Sequence, residues 1–278
     1  MRIGIMQGRL SNKQGKPLQS FPWNSWKEEF VRAHSIGFKQ IEWLVDGVND
    51  DDNPIASVNG RKEISLLSIK YDVSINSLCA HALIDGKLLS NGENQKEAIE
   101  KFSKILFWAS EARIEYVILP VMDAMSIQTD ESKEKLRKVL HEVVDSYTPK
   151  VLLESDLSAI QLKEFLDEVN LENVGVLYDL GNATAMGFDI ESELKLLYPH
   201  IEEVHIKDRY INNGISDRLG MANTSFDKAI QILQKSFWNG SLVLETPVFD
   251  NWKDEAEANF SFTKNLVDSV AQNIENRL

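Results

Sequence analysis

Short apolar runs rich in β-branched and aromatic residues alternate with longer amphipathic stretches from one end of the chain to the other. The runs fall at 3–7, 38–44, 73–81, 116–121, 151–154, 174–179, 203–206 and 242–245. Residues 26–36, 61–71, 95–112, 131–146, 159–169, 190–198, 226–237 and 256–270 follow them with helical spacing. Within 95–112, for example, Ala98, Phe102, Ile105, Leu106 and Ala109 recur on one helical face. Eight strand–helix units predict an α/β fold, a (β/α)8 TIM barrel. The 278 residues suit one such barrel, which takes roughly 250. An open doubly wound sheet is the rival, but no Gly-rich phosphate fingerprint follows the first strand. No linker rich in Pro, Gly or Ser divides the chain, so residues 1–278 are expected to form a single domain. Segments 46–53 and 210–224 read as long loops after strands.

Composition narrows the partners. With 43% hydrophobic and 26% charged residues the chain is ordinary for a soluble globular protein. Its net charge of -13 repels phosphate backbones, so no nucleic-acid partner is expected. No stretch approaches the ~18 apolar residues needed to cross a bilayer. Met1 to Ile5 lead at once to Gln7, Gly8 and Arg9, without the apolar run of a signal peptide. Cys79 is the only cysteine, which suits a reducing compartment. A cytoplasmic protein without a membrane partner is the expectation.

In a barrel of this kind the chemistry sits at the C-terminal ends of the strands. There the chain carries Glu154, Asp179, His205 and Glu245, on four successive strands. By strand alternation Leu152 and Glu154, Leu177 and Asp179, Glu203 and His205, and Val243 and Glu245 share faces. One carboxylate at such a position is often only the cap of the next helix. Three together would repel one another in a low-dielectric mouth unless a cation neutralised them. A divalent metal held by three carboxylates and one imidazole resolves the conflict. Such an oxygen-dominated set suits Mn²⁺, Mg²⁺ or Co²⁺ better than a structural Zn²⁺.

The strings Leu152-Leu153-Glu154-Ser155, Tyr178-Asp179-Leu180-Gly181-Asn182, Val204-His205-Ile206-Lys207-Asp208 and Val243-Leu244-Glu245-Thr246-Pro247 resemble the xylose-isomerase-like superfamily of barrels. Within it they look most like sugar and sugar-phosphate 3-epimerases and isomerases, such as the L-ribulose-5-phosphate 3-epimerase and tagatose 3-epimerase types. The resemblance implies Glu154, Asp179, His205 and Glu245 as ligands of one divalent ion, often Mn²⁺, with Mg²⁺, Co²⁺ or Zn²⁺ as alternatives. It implies Glu154 and Glu245 as the acid/base pair of a reaction through a metal-stabilised enediolate. His81 matches a strand-end histidine of several of these enzymes. Some epimerases carry a histidine three residues after the aspartate, where this chain has Asn182. Phosphate-specific relatives carry a pair like Gly181 and Asn182. The usual Gly-Glu-Gly before the seventh helix is replaced by Gly220, Met221, Ala222 and Asn223. The superfamily also admits an inosose-type dehydratase and a zinc-dependent apurinic endonuclease. The latter needs more strand-end histidines than His81 and His205.

Other polar residues near strand ends have two readings each. Glu42 can orient His81 or substrate, and Gln7 can touch substrate, whereas Arg9 reads as part of a solvated loop. His81 can bind a substrate hydroxyl or belong to a buried network. Lys207 and Arg209 can meet a phosphate, or pair with Asp208 or Glu203. His34, His141 and His200 fall in helices or at their ends. Phe21, Pro22, Trp23 and Trp26 read as packing for a long loop, and Asp50, Asp51 and Asp52 as a solvated tip. The expected partner is a small-molecule sugar or sugar phosphate, with a homo-oligomer possible.

Overall fold

A computed structural model describes residues 1–275 except 13, 14, 16, 212 and 250, with side chains through 272. Its strands are β1 (Arg2–Met6), β2 (Gln40–Leu44), β3 (Ser77–Cys79), β4 (Tyr116–Val121), β5 (Lys150–Ser155), β6 (Val174–Asp179), β7 (Ile201–Ile206), β8 (Asp208–Arg209), β9 (Ser216–Asp217) and β10 (Ser241–Leu244). The helices are α1 (Trp26–Ile36), α2 (Val58–Tyr71), α3 (Glu93–Ala112), α4 (Asp130–Val143), α5 (Ala159–Val169), α6 (Leu180–Ala185), α7 (Ile190–Leu197), α8 (Phe226–Lys235) and α9 (Trp252–Glu275). Eight strands pair in parallel and close into a barrel in the order β1-β10-β7-β6-β5-β4-β3-β2. The expected TIM barrel is the observed fold. Among the described residues no helix is long and apolar enough to cross a membrane.

The barrel interior is divided chemically. On one side Ile118, Leu152 and Leu177 form a small buried cluster beneath the ends of β5 and β6. On the other, Gln40 donates from Nε2 to Glu203 Oε2 (2.7 Å) and to Ser77 Oγ (3.0 Å). Gly4 makes room for this network, because a Cβ there would lie 3.1 Å from Gln40 Cβ. The larger apolar core lies between the sheet and the helices, where parallel strands are covered on both faces. Helix starts follow local chemistry: Thr129 with Ser132, and Ser158 with Gln161, form reciprocal caps at α4 and α5.

Boundaries differ from the pattern in understandable places. The run at 73–81 contributes only three strand residues, and α2 begins at Val58, capped by Ser57 Oγ accepting from Gly60 N (3.0 Å). Helix α6 follows β6 directly, too short to carry helical periodicity. Segment 210–224 contains β9, which pairs antiparallel with β8. Phe21 and Trp26 are buried against Trp43, with ring centroids 5.4 and 5.6 Å apart.

The chain between β1 and α1 is tied down by a buried carboxylate. Glu29 accepts from Gly8 N (3.0 Å) and Ser11 Oγ (2.8 Å). Burial pushes its carboxyl up from 4.5 to about 7. The folded state therefore favours protonated Glu29, and this contribution to stability is complete below the unfolded value of 4.5. It is lost as the pH rises through about 7. Calorimetric Tm values taken from about pH 5 to about pH 8 should fall more steeply for wild type than for Glu29→Gln. Parallel curves would show that Glu29 titrates alike in both states.

Candidate metal centre

Strand register brings the sequence-predicted donors to one height. Asp179 pairs with His205 across β6 and β7, His205 pairs with Val243 across β7 and β10, and Glu245 follows β10. As a result Glu154, Asp179, His205 and Glu245 are all buried, each with a ligand atom within 4.8 Å of the others. Asp179 serves two masters: Oδ1 caps α6 by accepting from Asn182 N (2.7 Å), while Oδ2 faces the cluster. Gly181 lets that helix come close, since a Cβ would lie 2.8 Å from the Lys207 carbonyl oxygen.

His205 is gripped from behind. Its Nε2 lies 3.0 Å from Glu42 Oε2, and its Nδ1 lies 3.3 Å from Glu245 Oε2 and 3.8 Å from Asp179 Oδ2. Glu42, read from the sequence as orienting His81 or substrate, engages His205, because β2 directs it into the barrel beneath β7. Glu203 belongs to the same interior network; burial and the neighbouring Glu42 raise its carboxyl well above the usual range. His81 opens a turn after β3, half-buried, and burial lowers its imidazole pKa.

Cations fill the space that the carboxylates leave. Lys207 Nζ lies 2.9 Å from Asp179 Oδ2 and 2.5 Å from Glu245 Oε2. Its expected local partners, Asp208 and Glu203, are engaged elsewhere. Asp208 accepts backbone N–H groups of Gly220 (2.8 Å), Ala222 (3.0 Å) and Thr224 (3.0 Å), and Glu203 binds Gln40. Arg209 donates to the Gly214 carbonyl (2.7 Å) and to Asn182 Oδ1 (2.5 Å). Asn182 Nδ2 in turn donates to Glu154 Oε1 (3.0 Å).

Arg9 corrects the solvated-loop expectation. It is only 2% exposed, with Nη2 3.8 Å from Glu245 Oε1. Its partners lie in the chain's own fold-back, at Leu18 O and Gln19 Oε1, and nothing in residue spacing announces that return. Gln19, which carried no sequence signal, donates from Nε2 to Glu245 Oε1. Gln7 accepts at Oε1 from Leu44 N (3.0 Å), and its buried Nε2 has no partner.

The electrostatics separate the two glutamates. Burial, reinforced by Glu245 and Asp179, raises the Glu154 carboxyl to about 8. Burial opposes ionisation of Glu245 as well, but Lys207, His205 and Arg9 outweigh it and hold that carboxyl well below its ordinary range. For His205, burial is outweighed by Glu42, Asp179 and Glu245, which raise its pKa well above the usual value. Asp179 Oδ2, His205 Nδ1 and Glu245 Oε2 are buried and turned towards one another, and Lys207 Nζ is the cation beside the two oxygens. Three converging on one point, with Glu154 beside them, fit a divalent cation with oxygen-rich ligation.

A family model described as a xylose isomerase-like TIM barrel matches residues 30–266. The chain is 24% identical over 246 residues to L-ribulose-5-phosphate 3-epimerase UlaE of Salmonella typhi, covering 84% of each protein. It superposes on a D-tagatose 3-epimerase-like protein with a TM-score of 0.76 at 18% identity, covering 99% of this chain and 100% of the other. The IolI protein, solved with a bound zinc atom, gives 0.73 at 18% identity, covering 97% of this chain and 98% of the other. With the family model spanning most of the barrel, this chain belongs to the xylose isomerase-like TIM-barrel family.

Proposed function

We propose that the protein is a divalent-metal-dependent sugar or sugar-phosphate epimerase or isomerase, with Mn²⁺ as the preferred ion. The observation that carries this reading is the buried convergence of Glu154, Asp179, His205 and Glu245. A divalent ion held by these four residues would supply Lewis acidity that makes a C–H beside a ketone easier to ionise. The chain's own groups then handle the proton. Glu154 lies on β5 and Glu245 follows β10, with β6 and β7 between them around the ring, so they approach a substrate from different sides. One can take a proton from one face while the other returns one to the opposite face, which inverts the carbon. Return to the neighbouring carbon gives aldose–ketose isomerisation from the same groups.

His205 can offer Nδ1 to an ion only if its proton resides on Nε2. Glu42 Oε2, 3.0 Å from Nε2, can accept a hydrogen bond from that N–H and so select the tautomer. Lys207 and Arg209 are both engaged by neighbours, so a ketose and its phosphate are equally good first substrates to try. His81 and Gln7 are the remaining polar groups assigned to substrate contact.

Proton exchange followed by NMR in deuterated water, with Mn²⁺ and a panel of ketoses and ketose phosphates, tests the reading. Exchange confined to one carbon next to the carbonyl is the expected result. No exchange across the panel, from protein shown to carry metal, would turn the search away from this reaction class. Glu154→Gln and Glu245→Gln should each lose about a hundredfold or more of the turnover. Bound metal is measured in the same samples, and a variant with full metal and full activity would reduce that carboxylate to a ligand. Glu42→Ala should weaken Mn²⁺ binding about 10–100-fold in calorimetric titration. Unchanged affinity would mean that the tautomer is set without Glu42.

A further inference from the structure

Both proposed acid/base carboxylates are held in the same way, Glu245 from the segment after β1 and Glu154 from α6 and β8. Arg9 Nη2 donates to Gln19 Oε1 (2.7 Å), and Gln19 Nε2 donates to Glu245 Oε1. Arg209 Nη1 donates to Asn182 Oδ1 (2.5 Å), and Asn182 Nδ2 donates to Glu154 Oε1 (3.0 Å). Each arginine is anchored by another N–H on a backbone carbonyl: Leu18 O at 2.6 Å for Arg9 and Gly214 O at 2.7 Å for Arg209. We infer that these two Arg–amide–Glu relays set the orientation of Glu245 and Glu154, which makes Arg9 and Gln19 positioning residues of the site. The inference rests on the metal-dependent reading above.

The chemistry of the three groups dictates the order. A guanidinium only donates and a carboxylate only accepts, whereas an amide does both from opposite ends. An arginine on the amide oxygen therefore forces the NH₂ towards the glutamate and removes the flip ambiguity. The glutamate gains a fixed outer oxygen from a neutral donor, without a guanidinium hydrogen-bonded directly to it. Arg9 Nη2 stays 3.8 Å from Glu245 Oε1, outside hydrogen-bond range. With Oε1 taken, Glu245 turns Oε2 towards His205 Nδ1 and Lys207. Burying a guanidinium as completely as Arg9 is costly, and its Nη groups offset part of that cost at Gln19 Oε1 and the Leu18 carbonyl, while Nε has no hydrogen-bond partner among the described residues.

The test uses the whole protein loaded with Mn²⁺ for affinity and with Co²⁺ for its visible spectrum, which reports coordination geometry. Gln19→Met should weaken Mn²⁺ binding about tenfold and alter the Co²⁺ spectrum as Glu245 becomes free to rotate. Arg9→Met should do the same, and the double variant should lose no more than either single one, because both cut one chain of contacts. Asn182→Leu and Arg209→Met should repeat this pattern for Glu154. Circular dichroism confirms folding, and if Arg9→Met fails to fold, Gln19→Met alone decides. Gln19→Met with wild-type affinity and spectrum, or additive losses in the double variant, would overturn the relay while leaving the metal site intact. Wild-type protein that binds neither ion would overturn the metal reading itself, and the relay with it.

Discussion

Negative charge buried at the mouth of the barrel is the constraint to which the rest of the site answers. Glu154, Asp179 and Glu245 converge there, with Glu42 just below them. Unpaired carboxylates in such surroundings either acquire a cation or keep their protons. This chain does both. Lys207 and Arg9 are drawn into burial, and His205 is held between carboxylates above and below. Glu203 and Glu154 are pushed towards the protonated form. A divalent ion would join a cluster already arranged around cations.

Asp179 shows why a structural and a chemical reading of one residue need not compete. A strand-end carboxylate before a helix is a common cap, and Asp179 Oδ1 is one, ordering the Asn182 amide. The same bond aims Oδ2 at the cluster and sets α6 so that Asn182 reaches Glu154. Gly181 is the condition for that placement, since any larger residue would meet the Lys207 backbone.

The barrel and its four donors were legible because both depend on periodicity. Strand alternation places Leu152 in the lumen and Glu154 in the mouth, and parallel register carries the same height to Asp179 and His205. What periodicity could not supply was everything arriving from irregular chain. Gln19 and Arg9 reach Glu245 because the segment after β1 folds back on itself, held by Glu29 and by Asp46 Oδ2 accepting from Phe21 N (2.7 Å). Glu42 was visible as a strand-end carboxylate, but its partner lies on β7, across the barrel from β2. Lys207 was read as meeting a phosphate or pairing with Asp208 or Glu203, whereas its contacts are Asp179 on β6 and Glu245 after β10.

Asp208 holds the segment 220–224 by backbone N–H groups alone, at Gly220, Ala222 and Thr224. Main-chain recognition is blind to the side chains it passes over. Residues such as Met221, which is 65% exposed, can therefore be exchanged without disturbing the path of the loop. Asn223 and Thr224 are the exceptions, because Asn223 Oδ1 accepts from Ile211 N (3.1 Å) and Thr224 Oγ1 donates to the Lys207 carbonyl oxygen (3.3 Å). The loop can thus change its exposed face at Met221 while its anchor to β8 stays in place.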